Sequence, residues 1–189
     1  MSDIMTKQSG KPNRSSRWST RQLATMALFT ALGIILSFIE FPLLPGTDFL
    51  KYDASQVTAL FCGLSYGPAA GSIVGVVTAW MHALFTGNVW GAVMNTGVCL
   101  AFVLPASFVY KRSQKLSALI IGLIVSSICS ICVALLMNLV VTPIYMGVPV
   151  DAVIAMILPI LLPFNVIKAA INSVLAIILI QSLKGIVKR

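Results

Sequence analysis

Six stretches of mostly apolar residues, at 23–41, 54–65, 68–85, 92–109, 116–141 and 161–180, constrain this chain more than anything else in it. A helix needs about 20 such residues to cross roughly 30 Å of hydrocarbon. In lipid every backbone N–H and C=O must find its partner inside the protein, and a helix achieves this within itself. With 58% hydrophobic and 10% charged residues, the 189-residue chain is too apolar for an ordinary soluble domain. The runs therefore predict an all-α integral membrane bundle of six transmembrane helices. The second run is short. It crosses a bilayer only if its helix begins near Phe49, which draws Lys51, Tyr52 and Asp53 into the outer part of the bundle. The economical organisation is one six-helix membrane domain over residues 17–189, preceded by a flexible cytoplasmic tail at residues 1–16 that is polar and rich in Ser and Lys.

A net charge of +8 raises nucleic acid as a partner, but the basic residues form no stripe along a soluble face, and no nucleic acid is expected. They mark topology instead. Lys7, Lys11, Arg14, Arg17 and Arg21 precede the first run, Lys111, Arg112 and Lys115 fill the fourth connection, and Lys184, Lys188 and Arg189 close the chain. With six spans these all fall on one side, and the positive-inside rule puts both termini in the cytoplasm. Glu40, Asp48, Asp53 and Asp151 then lie outside or at the outer boundary. The first run is longer than a signal-peptide core, and no small-x-small cleavage site follows it before Glu40, so it reads as a retained helix.

Lys168 is the one lysine well inside a long apolar run. A cation at membrane depth costs roughly 2.5 to 3.5 kcal/mol on insertion scales, and by default it marks a functional site. Asn165, Lys168 and Asn172 recur at i, i+3, i+7 and share one helix face, which should point at something polar. Pro159 and Pro163 blur the start of this helix. Counting back about 20 residues from Gln181 sets the outer membrane edge near Leu161, with Lys168 about 10 Å below it. The same count puts Asn95 just inside the outer boundary and Asn138 at it, with Glu40, Asp53, Asn88 and Trp90 at that level. Polar groups thus gather in the outer half, above inner halves that are almost wholly apolar. The pattern is a cup opening outward, with no polar route to the cytoplasm. Two plainer readings stay open: asparagines bonding between helices, and Lys168 held in a structural pair, for instance with Glu40.

Between the first two runs, residues 41–48 mix Phe41, Leu43 and Leu44 with the turn formers Pro42, Pro45 and Gly46, as a lid or a plain surface loop would. Small residues recur at four-residue spacing as Ala27 and Ala31, with Ala24 one turn earlier, and as Gly67, Gly71, Gly75 and Ala79. Such faces let helices approach closely. The glycine series suits packing within the bundle, and the alanine series is open to a second membrane subunit.

Signals for chemistry are weak, and no catalytic or metal-binding residue is expected. Gly63-Leu64-Ser65-Tyr66-Gly67 matches G-x-S-x-G, but a nucleophile elbow needs a preceding strand and a nearby histidine, and the sole histidine, His82, is about 25 Å further along the chain's helices. Ser65 reads as a turn residue. Cys129 and Cys132 have CxxC spacing in mid-helix without a second ligand pair, so they read as buried small apolar residues. No G-x-x-x-x-G-K-[ST] loop is present, so the chain does not hydrolyse ATP by the P-loop route.

From about Arg17 onward the chain resembles the S components, the substrate-binding subunits, of energy-coupling factor (ECF) vitamin transporters, and among them the riboflavin-specific kind. The resemblance is carried by Leu23-Ala24-Thr25-Met26-Ala27-Leu28-Phe29-Thr30-Ala31, by Phe41-Pro42 through Tyr52-Asp53, and by Phe164-Asn165-Val166-Ile167-Lys168. It implies a multi-pass protein of the bacterial plasma membrane that binds a vitamin from outside. It also implies that Ala27 and Ala31, with Ala24, face a transmembrane coupling subunit, itself joined to two ATPase subunits, and that Asn165 and Lys168 contact the substrate. Riboflavin, as transported ligand rather than cofactor, is chemically sensible. Its flat ring suits a slot lined by Leu43, Leu44, Met94 and Trp90, and asparagine amides match its imide edge and ribityl hydroxyls. The expected substrate-binding set is Asn165, Lys168, Asn138, Asn95, Glu40, Leu44, Gly46, Asp48, Trp90 and Met94. An S component for another vitamin and a standalone secondary transporter remain the alternatives, but the latter calls for inverted repeats or discontinuous helices that the sequence does not clearly display.

Overall fold

A computed structural model of the protein describes residues 18–45, 47 and 49–187. The expected tail at residues 1–16, Gly46, Asp48 and the terminal basic residues Lys7, Lys11, Arg14, Arg17, Lys188 and Arg189 lie outside that set. The chain order is α1 (Thr20–Ser37), β1 (Phe41–Pro42), β2 (Lys51–Tyr52), α2 (Ser55–Tyr66), α3 (Pro68–Thr86), α4 (Val89–Ser113), α5 (Leu116–Met146), α6 (Val150–Met156), a π-helical turn (Ile157–Leu161) and α7 (Leu162–Val187). Ser19 opens α1 with a capping box: its hydroxyl accepts from the Gln22 N–H, and the Gln22 side chain accepts from the Ser19 N–H.

Among the described residues, five helical stretches are long and apolar enough to cross a membrane: α1, α3, α4, α5 and the continuous run Val150–Leu183. The second apolar run forms a shorter helix than expected from a start near Phe49. Its helix begins at Ser55 rather than near Phe49, because Lys51 and Tyr52 pair antiparallel with Pro42 and Phe41 and Asp53 then accepts from both the N–H and the hydroxyl of Ser55. At 1.5 Å per residue, α2 is about 18 Å long, well short of a bilayer. It is instead a central strut: Gln56 through Leu64 are all buried, and α1, α3, α4 and α7 pack around it.

The last helix also starts earlier than expected, at Val150 rather than near Leu161. Proline at 159 has no N–H to donate and crowds the preceding turn. The chain accommodates it by widening into the π-helical turn Ile157–Leu161 rather than by ending the helix.

Close packing uses Gly71 and Gly75 on α3 as expected, but not Gly67, where an added methyl would meet nothing within 4 Å. A methyl added at Gly71 would stand 2.6 Å from the Ala59 carbonyl and 2.7 Å from the Gly63 Cα, and one at Gly75 would collide with the Cys99 sulfur. The apolar core lies toward the end of the bundle away from the β-hairpin, where Phe29 stacks on Phe61 at 4.4 Å between ring centres and Phe102, Leu119, Leu123 and Ile180 close around them. On α1 the buried face is Met26, Phe29, Gly33 and Ser37, so Ala24, Ala27 and Ala31 are exposed on the other side. The cysteine expectation is corrected: Cys132 is exposed and Cys129 half-buried on α5, whereas Cys62 and Cys99 are the buried pair of free thiols. Ser65 sits inside the last turn of α2, and the chain reverses at Gly67, whose φ of 101° favours glycine.

Gly71→Val forces side-chain atoms against two backbones. It is expected to cost at least about 1–3 kcal/mol, read as a lower thermal unfolding midpoint in detergent. An unchanged midpoint would contradict the tight α2–α3 contact.

Candidate functional site

At the hairpin end, α4, α5, α7 and the chain around the hairpin enclose a cavity of about 300 Å³. α4 contributes Asn88, Met94, Asn95 and Val98, α5 contributes Asn138 and Tyr145, and α7 contributes Phe164, Asn165 and Lys168. Glu40, Phe49, Leu50, Lys51 and Asp53 close it from the side of the hairpin. A second lobe of about 100 Å³ shares Phe49, Leu50, Met94 and Asn138 and adds Trp90 and Thr142. Five residues predicted from four separate runs, Asn95, Asn138, Asn165, Lys168 and Glu40, thus meet in one hollow with Met94, and Trp90 lines its annex.

Lys168 is only 8% exposed, yet no hydrogen bond or ion pair holds its ammonium among the described residues. The structural pair with Glu40 does not form. Glu40 is engaged elsewhere, by Lys51 at 3.4 Å and by His82 Nε2 at 3.6 Å, while His82 Nδ1 lies 2.8 Å from the Ser37 hydroxyl. This chain of contacts ties the hairpin to α1 and α3 at the mouth of the cavity. Asp53, 6% exposed, is a buried carboxylate on the cavity wall, unlike the exposed Glu40, and its Oδ1 accepts from Ser55.

Asn138 and Asn165 bond within their own helices, whereas Asn172 alone of the three forms the expected bond between helices. Asn138 donates to the Ala134 carbonyl at 2.7 Å and accepts from the Thr142 hydroxyl at 2.9 Å, both on α5. Asn165 Nδ2 donates to the Leu161 carbonyl at 2.8 Å, which anchors it to the end of the π-helical turn. Each amide is held by its own helix and keeps bonding capacity for a ligand, because a primary amide offers two N–H groups and two acceptor lone pairs.

Asn172, one turn below Lys168 on the same face, has a different task. The Tyr52 hydroxyl donates to its Oδ1 at 2.9 Å, and its Nδ2 donates to Gln56 Oε1 at 3.2 Å. It is 1% exposed and fastens β2 and α2 to α7 beneath the cavity. Burial, with Asp53 adding, pushes the Tyr52 hydroxyl up to about 12, so it remains a neutral donor.

Leu44 lines neither lobe; its carbonyl accepts from the Thr47 hydroxyl at 2.7 Å within the loop. Gly46 and Asp48 lie outside the described residues. Sequence reasoning missed Phe49, Leu50, Tyr145 and Phe164. The first two sit in a loop without periodicity, and Tyr145 lies beyond the run expected to end at 141, on a helix that continues to Met146.

The model of the family described as "ECF transporter, substrate-specific component" matches residues 21–180. The chain belongs to that family. It is accordingly a multi-pass protein of the bacterial cell membrane and the substrate-specific component of a transporter. The riboflavin transporter RibU of Staphylococcus aureus is 32% identical over 176 residues, covering 89% of this chain and 93% of that one. The riboflavin transporter FmnP of Bacillus subtilis is 25% identical over 175 residues, covering 87% and 92%. A solved S component of a bacterial ECF transporter superposes with a TM-score of 0.78 at 31% identity, over 89% of this chain and 98% of its own.

Replacing Asn172 by Leu keeps the volume but strands the Tyr52 hydroxyl and Gln56 Oε1 in the interior. The expected loss is about 1–3 kcal/mol of stability, measured as a fall in the unfolding midpoint of the purified protein; an unaltered midpoint would mean the network carries nothing.

Proposed function

We propose that this S component captures riboflavin from the extracellular side through the Lys168 cavity and delivers it to an energy-coupling module of one transmembrane coupling subunit and two ATPases. The observation that carries the proposal is the ammonium of Lys168, buried on a cavity wall without a partner among the described residues and sharing that wall with the amides of Asn95, Asn138 and Asn165. A flavin suits that setting. Its ring has apolar faces for Met94, Val98 and Phe164, and its imide edge alternates acceptors and donors that amides and an ammonium complement. The ribityl chain, rich in hydroxyls, suits the amide-lined remainder and the annex by Thr142. Lobes of about 300 and about 100 Å³ agree with the lower range of small-molecule sites.

The charge pattern favours the unphosphorylated vitamin. A phosphate dianion would meet one uncommitted cation, Lys168, beside the carboxylates of Asp53 and Glu40, since Lys51 already pairs with Glu40. The similarity to proteins named riboflavin transporters supports the same ligand.

Orientation and partners complete the proposal. The basic α4–α5 turn, with Lys111, Arg112 and Lys115, belongs in the cytoplasm by the positive-inside rule, which turns the cavity mouth outward. The exposed Ala24, Ala27 and Ala31 on α1 offer the coupling subunit a surface that another helix can approach closely.

Two experiments test these assignments. Equilibrium titration of the purified protein with riboflavin, followed by flavin fluorescence, should show binding that Lys168→Met weakens about 10- to 100-fold, as for a lost charged hydrogen bond, with Asn165→Ala weakening it less. Failure of the wild type to bind riboflavin would overturn the ligand. Ala27→Trp or Ala31→Trp should abolish uptake in cells while the titration stays unchanged; parallel loss of binding would overturn the partner surface.

A further inference from the structure

The turn between α4 and α5 carries three exposed cations, Lys111, Arg112 and Lys115, and none of them bonds or pairs with a described residue. No Asp or Glu occurs between Asp53 and Asp151, so neither α4 nor α5 supplies a counter-charge. The two helices touch where Gly122 lies against Ala106: a methyl at Gly122 would stand 3.1 Å from the Ala106 carbonyl. Toward the turn lies a surface groove of about 540 Å³. Its walls change character along their length. Phe108 and Ile121, 57% and 55% exposed, form apolar flanks, and Arg112, Ser113 and Ser117 gather at the turn. Neither serine hydroxyl bonds to a described residue.

We propose that this groove binds one anionic glycerophospholipid of the leaflet opposite the ligand cavity. A guanidinium forks onto the two non-bridging oxygens of a phosphodiester, and each of these can also accept from a hydroxyl, so Arg112 with Ser113 and Ser117 matches that group. The acyl chains run along Phe108 and Ile121, apolar surface that a soluble phosphate would leave unused. The selection for an anionic headgroup comes from the three uncompensated cations, since each Lys or Arg near a charged leaflet contributes on the order of fivefold in binding. The groove is separate from the ligand cavity: Arg112 lies about 25 Å along α4 from Asn95. It is separate from the α1 surface as well, because α1 packs on α2 and α3, whereas α5 packs on α4 and α7.

Native mass spectrometry of the full chain in mild detergent, with phosphatidylglycerol and phosphatidylcholine of identical acyl chains, tests the site. The wild type should retain one phosphatidylglycerol about fivefold or more over phosphatidylcholine. Arg112→Gln combined with Lys115→Gln should bring that ratio near one, with the lipid-free unfolding midpoint unchanged. Should that variant not fold, the wild-type ratio is read against Arg112→Lys, which keeps the charge but loses the fork and should fall between. Equal retention of the two lipids, or a preference that survives every substitution, would overturn the proposal. So would displacement of the lipid by glycerol phosphate as effectively as by intact phosphatidylglycerol, which would make the ligand a soluble anion. Loss of assembly with the coupling module without any lipid preference would also overturn it, in favour of a protein contact.

Discussion

An ammonium taken out of water must be answered by something, and among the described residues no side chain bonds or pairs with that of Lys168. Leaving Lys168 in hydrocarbon would cost several kcal/mol. The bundle instead ends it in a hollow whose walls carry Asn95, Asn138, Asn165 and Asp53. Glu40, the most obvious counter-ion, is occupied by Lys51 and His82. The site is therefore polar and pre-organised but electrostatically incomplete, the condition under which a ligand's acceptors gain most from entering.

The remainder of the fold serves that arrangement. α2 is short and starts only at Ser55, after the hairpin, and the cavity lies beside it among α4, α5 and α7. The absence of side chains at Gly63, Gly71 and Gly75 lets α2, α3 and α4 meet almost backbone to backbone. Beneath, the cluster from Phe29 and Phe61 to Leu119 and Ile180 is apolar and fully packed. A hollow open at one end over such a plug can receive a solute and hold it, but a path onward requires a rearrangement. That division of labour fits a component that depends on an energised partner for release.

Much of this was legible in the chain because membrane depth turns polar residues into strong signals. Lys168 and Asn165 stood out against apolar neighbours, and counting along helices brought Asn95 and Asn138 to the same level. The failures have physical reasons. A two-residue β pairing and an aspartate holding Ser55 reset the start of α2, and neither leaves a periodic trace. Pro159 reads as a helix stop, yet a single wide turn absorbs it. Cys132 faces outward because helix rotation about its axis is set by Ser126, Ser130, Ala134 and Asn138, which the bundle buries, and an apolar run conceals that preference. Loop residues such as Phe49 and Leu50 reach the cavity through tertiary folding alone.

The decisive measurement is the accessibility of the Lys168 amine. Sealed right-side-out vesicles would be treated with a membrane-impermeant amine reagent and the modified lysines located by peptide mass spectrometry, with and without riboflavin. The account predicts modification of Lys168 from the outside and its protection by the vitamin. A Lys168 that reacts only after the cytoplasmic face is opened, or that riboflavin leaves equally reactive, would contradict it.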